Sequence, residues 1–304
     1  MDFLGREIIQ DQSFLPPAEP RHVSPLRGLA WIREGFKLFA SQPGRWILVL
    51  GLWLILSLIM PTLVTVALED MRRAIVIAVT PLGIQDIIGG LLELFVLLAP
   101  LSTVLLFPVV FAGLMVGCGE VSYGRRLSTR HLFAAFFREP TRFITVGGIN
   151  AVGQILMSQA ITWFVHDQIG ELDLSLSGSL SAAQNLNSLM EKLSQFTPLV
   201  LPVLLLQMLL MAALWFTPPL LVFHQMTPLS AVRASLLGCA KNIGALLVYS
   251  LAVVLMLSFV GAVSMSAGSG ILFAVLALGV LVAAMTTVIA SLYVSYREIF
   301  SPHA

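Results

Sequence analysis

The side chains best suited to chemistry in this chain are five polar groups set inside otherwise apolar stretches. Asn150, Gln154 and Ser158 recur every fourth residue and so share one helix face, with Gln159 beside them. Gln207 sits in a second apolar run and is a candidate to meet them. In a hydrocarbon surrounding, such groups either line a polar groove for a substrate or join helices by hydrogen bonds of about 1 kcal/mol each. The interhelical reading is preferred, with Gly147, Gly148 and Gly153 allowing the close approach it needs.

The densest charge feature is the set Arg125, Arg126, Arg130, Arg138 and Arg142. Arginines beside a membrane attract anionic lipid headgroups at about 1 kcal/mol each, and the same charges also set topology. Glu93 and Glu120 are read as interfacial, which leaves no charge at a midplane to mark a proton or ion pathway. The histidines (His22, His131, His166, His224 and His303) are scattered. Paired catalytic carboxylates, H-E-x-x-H, G-x-S-x-G and phosphate-cradling glycine loops are all missing from the sequence. Cys118 and Cys239 have no metal-ligand or disulfide spacing and read as small packing residues. The expectation is a protein that is not an enzyme, with no metal, no cofactor and no nucleic-acid partner.

What positions these residues is a membrane. Of the 304 residues, 58% are hydrophobic and 11% charged, where a soluble domain carries about 25% charged residues. Residues 1–23 form an expected extended, mobile leader with prolines at 16, 17 and 20; its acids and lack of an apolar core argue against a signal peptide. Residues 24–304 read as one membrane domain.

A single pattern recurs along that domain: a basic amphipathic helix feeding an apolar hairpin. A shift of 97 residues carries Arg33, Phe36, Phe39, Pro43 and Arg45 onto Arg130, Phe133, Phe136, Pro140 and Arg142. A shift of 200 carries Leu29, Ile32, Arg33, Phe36 and Gly44 onto Leu229, Val232, Arg233, Leu236 and Gly244. Self-similarity at a fixed period implies repeated units, here about 24–126, 127–226 and 227–300. The expected fold is all-α: a polytopic bundle of six transmembrane helices in three pseudo-repeated hairpins, each preceded by a cytoplasmic interfacial helix.

In detail, Ser24-Pro25 is the expected cap of the first surface helix, and Trp46 the interfacial anchor of a span over 46–68. Residues 69–86 read as an exterior connection with a surface-lying piece. Pro100 and Pro108 break the run 87–119, leaving open whether 87–99 crosses, before a second span over 101–119. Gly113 and Gly117 offer a G-x-x-x-G packing face. The second surface helix is expected over 127–140, with Phe133, Phe136 and Phe137 facing the membrane, then a span over 143–165. A polar loop covers 166–197, with an extended piece at 172–177 and a helix face at 186–193. The fourth span, 198–223, should kink at Pro218-Pro219, and Thr227-Pro228 should open the third surface helix. Spans over 244–266 and 271–293 and a short tail complete the chain.

Fourteen of the seventeen Lys and Arg fall on the side of the surface helices, which the positive-inside rule assigns to the cytoplasm together with both termini. Three motifs and the tail carry a resemblance: Trp31-Ile-Arg-Glu-Gly-Phe-Lys-Leu-Phe39, Phe111-Ala-Gly-Leu-Met115, Ala213-Leu-Trp-Phe-Thr-Pro218, and Tyr293-Val-Ser-Tyr-Arg-Glu-Ile-Phe300. In them the chain resembles a family of multi-pass inner-membrane proteins of Gram-negative bacteria that has no assigned activity. More distantly, the helix-plus-hairpin unit is similar to the membrane domain attached to some glycerophosphodiester phosphodiesterases, whose catalytic residues this sequence lacks. The resemblance implies architecture and an inner-membrane location. The expected role is an accessory or scaffold protein engaging lipid, through anionic headgroups at the cytoplasmic face, or a membrane protein partner. The alternative is a transporter or lipid-handling protein with a polar groove between repeats.

Overall fold

A backbone surrounded by apolar side chains has few hydrogen-bond partners except its own, and a helix satisfies them within one segment. A computed structural model describes residues 19–137, 140–168, 197–266 and 271–301, and every regular element among them is helical. In chain order these are α1 (Arg27–Ser41), α2 (Pro43–Leu54), a π turn (Ile55–Ile59), α3 (Met60–Val79), a 3-10 turn (Thr80–Leu82), α4 (Gln85–Ser122) and a second 3-10 turn (Thr129–Phe133). Then come α5 (Pro140–Gln168), α6 (Thr197–Trp215), α7 (Thr217–His224), α8 (Pro228–Lys241), α9 (Ile243–Ser266) and α10 (Ile271–Phe300).

Five helical stretches are long and apolar enough to cross a membrane: Pro43–Leu82, Pro140–Trp163, Leu201–His224, Ile243–Val263 and Leu276–Phe300. Phe107–Ser122, at the end of α4, is a shorter apolar stretch. The sides of these helices expose large apolar residues such as Leu156, Leu204, Leu251 and Phe259, as a surface facing hydrocarbon does. The architecture is that of a membrane protein.

The core lies where α1, the start of α2, the last turns of α4, α7 and the last turns of α10 come together. Trp31, Trp46, Phe216, Phe223, Tyr293, Tyr296 and Phe300 are its largest fully buried side chains. Two glycines let α1 sit directly on its neighbours' backbones. A Cβ on Gly28 would collide with the carbonyl of Ala245 in α9, and one on Gly35 would come within 2.7 Å of Thr287 O and Ser291 N in α10. Between them Trp31 donates from Nε1 to Glu298 at 2.6 Å, and Arg27 grips the same carboxylate at 2.6 and 2.9 Å.

Several local expectations hold. Thr227 precedes α8 with Pro228 at its first position, and the chain breaks at Phe216, so that Pro218 and Pro219 open α7. Others are corrected. Helix α1 starts at Arg27 after a turn, not at a Ser24 side-chain cap. Trp46 is buried rather than interfacial, donating from Nε1 to Leu38 O at 3.1 Å.

The expected exterior connection after residue 68 is helix as far as Val79. Glu69 takes Arg72 at 2.7 Å and Arg73 at 2.9 Å along the same helix; such pairs satisfy the charges locally and let the helix run on. The reversal falls instead at Gly83, whose φ of 68° suits glycine. Helix α4 then runs unbroken through Pro100 and Pro108. In apolar surroundings the single bond a proline removes costs less than opening a turn would.

The second surface helix is one 3-10 turn, Thr129–Phe133, where a helix over 127–140 was expected. The reason is the glycine face of α4. A Cβ on Gly113 would strike the Leu132 carbonyl, and one on Gly117 would lie 2.8 Å from Leu127. The segment lays its own backbone into that face, which a regular helix with its carbonyls turned inward cannot do. Phe133 and Phe136 pack against the core, leaving Phe137 exposed. At the other end of the chain, α10 continues past the expected span to Phe300.

The end of the expected leader is also held: Arg21 N–H donates to Ile299 O at 3.0 Å and Val23 N–H to Asn242 Oδ1 at 2.8 Å. The rest of the leader, the extended piece at 172–177 and the helix face at 186–193 lie outside the described residues.

Candidate functional site

Three polar side chains at the ends of helices hold backbone of a neighbouring segment. At the α1–α2 elbow, Gln42 donates from Nε2 to Arg125 O at 2.7 Å and accepts Leu127 N–H on Oε1 at 3.0 Å. In the first turn of α5, Arg142 donates from Nη1 to Gln225 O at 2.6 Å. At the α8–α9 elbow, buried Asn242 accepts Val23 N–H on Oδ1 and donates from Nδ2 to Arg21 O at 2.8 Å and Gly238 O at 2.9 Å. Each grips backbone that a helix or sheet ladder would otherwise have to satisfy.

The arginine cluster divides. Arg142 is spent on that grip, and Arg125 lies 3.7 Å from Glu120 while its guanidinium stands over the Tyr123 ring. Arg126 and Arg130 are exposed, and Arg138 lies outside the described residues. Arg126 also faces Arg45 across a surface recess of about 450 Å³ lined by Ser41, Gln42, Pro43, Gly44 and the two arginines. The sequence marked Arg45 as part of the repeat but not as a neighbour of Arg126, which lies on a different segment. The recess opens at the first turn of α2, where the helix dipole adds to the two guanidinium charges. Two guanidinium charges at a helix start favour an anionic group there.

The polar groups of the spans do not converge. Asn150 and Gln154 are half buried, and Ser158 and Gln159 are exposed. Among the described residues no hydrogen bond joins any of them to Gln207. Of the glycines expected to bring α5 close to its neighbour, Gly153 does so, with a Cβ there 3.1 Å from Leu210 of α6, while Gly148 faces open space. Gln207 turns the other way. It lines a groove of about 450 Å³ between α6, α8 and α9, together with Met208, Trp215, Leu247 and Ser250. Gln207 Oε1 and Trp215 Nε1 are buried there without a hydrogen-bond partner.

No group of three or more His, Cys, Asp or Glu among the described residues is arranged to hold a metal. His131 is buried, and burial lowers its pKa; its Nδ1 receives Ser128 N–H at 3.3 Å, closing a small cap around the 3-10 turn. Burial also pushes the Cys239 thiol up to about 12, so it is not a nucleophile at neutral pH. Compared with protein-family models, curated proteins and solved structures, the chain finds no match.

Proposed function

We propose that this protein is a non-enzymatic scaffold of the bacterial inner membrane, with six spans in three hairpin units closed into a ring. Its exposed cytoplasmic surface engages anionic lipid and a membrane protein partner. The observation that carries this reading is the set of elbow grips. Gln42 of the first unit holds residues 125 and 127, just ahead of the second unit's surface turn. Arg142 of the second holds residue 225, ahead of α8. Asn242 of the third holds residues 21 and 23, ahead of α1. Packing follows the same order: α1 lies against α9 and α10, the Thr129–Phe133 turn against α4 and α2, and α8 against α6 and α7. Each surface element is thus seated on the unit before it, and the third unit hands on to the first.

A ring locked in this way is a rigid platform, not a machine with two states. Its cytoplasmic face offers Arg126, Arg130, Arg33 and Arg233, and the distribution of basic residues supports both termini lying on that side. The inner-membrane location is part of this proposal, and the motif resemblance of the sequence supports it. The test is purification from mild detergent with mass spectrometry of the intact complex. The scaffold reading expects a stoichiometric protein partner together with anionic phospholipid; a chain carrying lipid alone contradicts it.

A second reading, a lipid-handling protein, is favoured by one observation: Gln207 lines a mostly apolar groove open at the protein surface. That groove lies against α8 and α9, away from Asn150 and Gln154.

A further inference from the structure

We propose that the groove between α6, α8 and α9 holds one acyl chain of a phospholipid drawn from the leaflet on the α8 side. The proposal deepens the lipid-handling reading and rests on the chain being a membrane protein; it does not depend on the scaffold role.

The groove opens sideways past Met208 and Leu247, which are 58% and 57% exposed. In a bilayer the medium outside that opening is hydrocarbon. From Trp215 to Gln207 it follows eight residues of α6, about 12 Å at 1.5 Å per residue. Half of a bilayer's hydrocarbon core is about 15 Å, so the groove has the depth of one leaflet.

Polar groups mark its two ends. At the shallow end Trp215 Nε1 is a buried donor with no acceptor in the protein. Tryptophan at the membrane interface meets the glycerol region, where an ester carbonyl can supply that acceptor. Cys239 and Ala240 of α8 line the same end. The next residue, Lys241, is exposed at the end of the helix and donates from Nζ to Pro20 O at 3.3 Å, which leaves its charge and remaining donors beside the groove mouth. Towards the deep end Gln207 and Ser250 interrupt the apolar wall, with Leu205 beyond them; a chain methyl gains nothing against the two polar groups.

The test uses the full chain in vesicles of phosphatidylethanolamine and phosphatidylglycerol containing a trace of phospholipid with a diazirine in one acyl chain. After irradiation, adducts are mapped by peptide mass spectrometry. They are expected to concentrate on α6 and α9 and to disappear in Ala212→Trp, which fills the groove. Trp215→Phe keeps the ring but removes the donor, and should lower the yield about fivefold, the effect of one neutral hydrogen bond. Val152→Trp, on an exposed face of α5, should leave it unchanged. Adducts spread evenly over all exposed spans would mean annular lipid only and overturn the proposal. So would a second protein chain crosslinked in the groove, or a Trp215→Phe yield equal to wild type. If Ala212→Trp fails to elute as a folded species, Trp215→Phe decides alone. A failure here leaves the copurification result, and hence the scaffold reading, untouched.

Discussion

Gln42 and Asn242 do the same work at elbows 200 residues apart in the chain. Gln42 accepts the N–H of Leu127 and donates to the carbonyl of Arg125; Asn242 accepts the N–H of Val23 and donates to the carbonyl of Arg21. In both, one amide holds a donor and the acceptor two residues before it, which fixes an extended segment as a single ladder partner would. Such a grip fits an amide because it needs a donor and an acceptor on one planar group.

Asn242→Ala therefore leaves the Val23 N–H and two carbonyls without their partner, one of the three bonds being buried and two partly buried. The expected loss is about 2–3 kcal/mol, read as a fall in melting temperature in detergent. Asn242→Asp keeps the acceptor and loses the donor, so it should fall between alanine and wild type. Equal stability of all three chains would show that the segment before α1 is held by something else.

Glu298 collects Arg27 and Trp31 from α1, so it ties the start of the membrane domain to its end. Its carboxylate is 21% exposed and the Arg27 side chain 40% exposed, which moderates the electrostatic part. The hydrogen bond to Glu298 nevertheless raises the Arg27 pKa. Glu298→Ala should cost about 2–3 kcal/mol, more than Arg27→Ala, because it also strands the buried indole N–H. Limited proteolysis of α1, compared between the two variants, checks the order.

Gly113 meets the Leu132 carbonyl with no room for a side chain. A backbone atom cannot swing aside as a flexible side chain can, so Gly113→Ala should destabilise by about 1–3 kcal/mol. Gly148→Ala, with nothing nearby, should be neutral or slightly stabilising through better helix propensity. Melting of the two variants side by side separates packing from propensity.

His131 makes a prediction about pH. Burial lowers its pKa in the folded state below the ordinary value of about 6.5. As the pH falls through that value the unfolded chain takes up a proton that the folded chain does not, so stability is full above it and declines below it, towards the folded pKa. Protonation of Nδ1 would also break the Ser128 N–H contact. The melting temperature should drop between about pH 7.5 and about pH 5.5, and His131→Gln should flatten that drop. An equal drop in the variant would assign the effect to other groups.

Much of this fold can be read from local patterns. The apolar runs, the Thr227-Pro228 start of α8 and the break ahead of Pro218-Pro219 are decided within a few residues of sequence. What could not be read depends on contacts far apart in the chain. Pro100 and Pro108 look like breaks, but α4 stays whole in its apolar setting. Phe133 and Phe136 have helical spacing, but the glycine face of α4 imposes a tighter backbone on them. Trp46 has the position of an anchor, yet the core encloses it. For the candidate site, the shared face of Asn150, Gln154 and Ser158 was legible, whereas the direction of Gln207 was not. Eight residues of α6 separate Gln207 from Trp215, and only the approach of α8 and α9 makes one groove of them.

The central claim is that the three surface elements face one compartment. Arg33, Arg130 and Arg233 occupy matching places in the repeat and are all exposed. Each can be replaced by cysteine in turn, in a background where Cys118 and Cys239 are buried and the Cys239 thiol, pushed up to about 12 by burial, stays silent. The measurement is labelling with a membrane-impermeant maleimide in right-side-out and inverted inner-membrane vesicles. The account predicts that Arg33→Cys, Arg130→Cys and Arg233→Cys all react in the inverted vesicles and none in the others. One site labelled from the opposite face to the other two would contradict the ring of three like units.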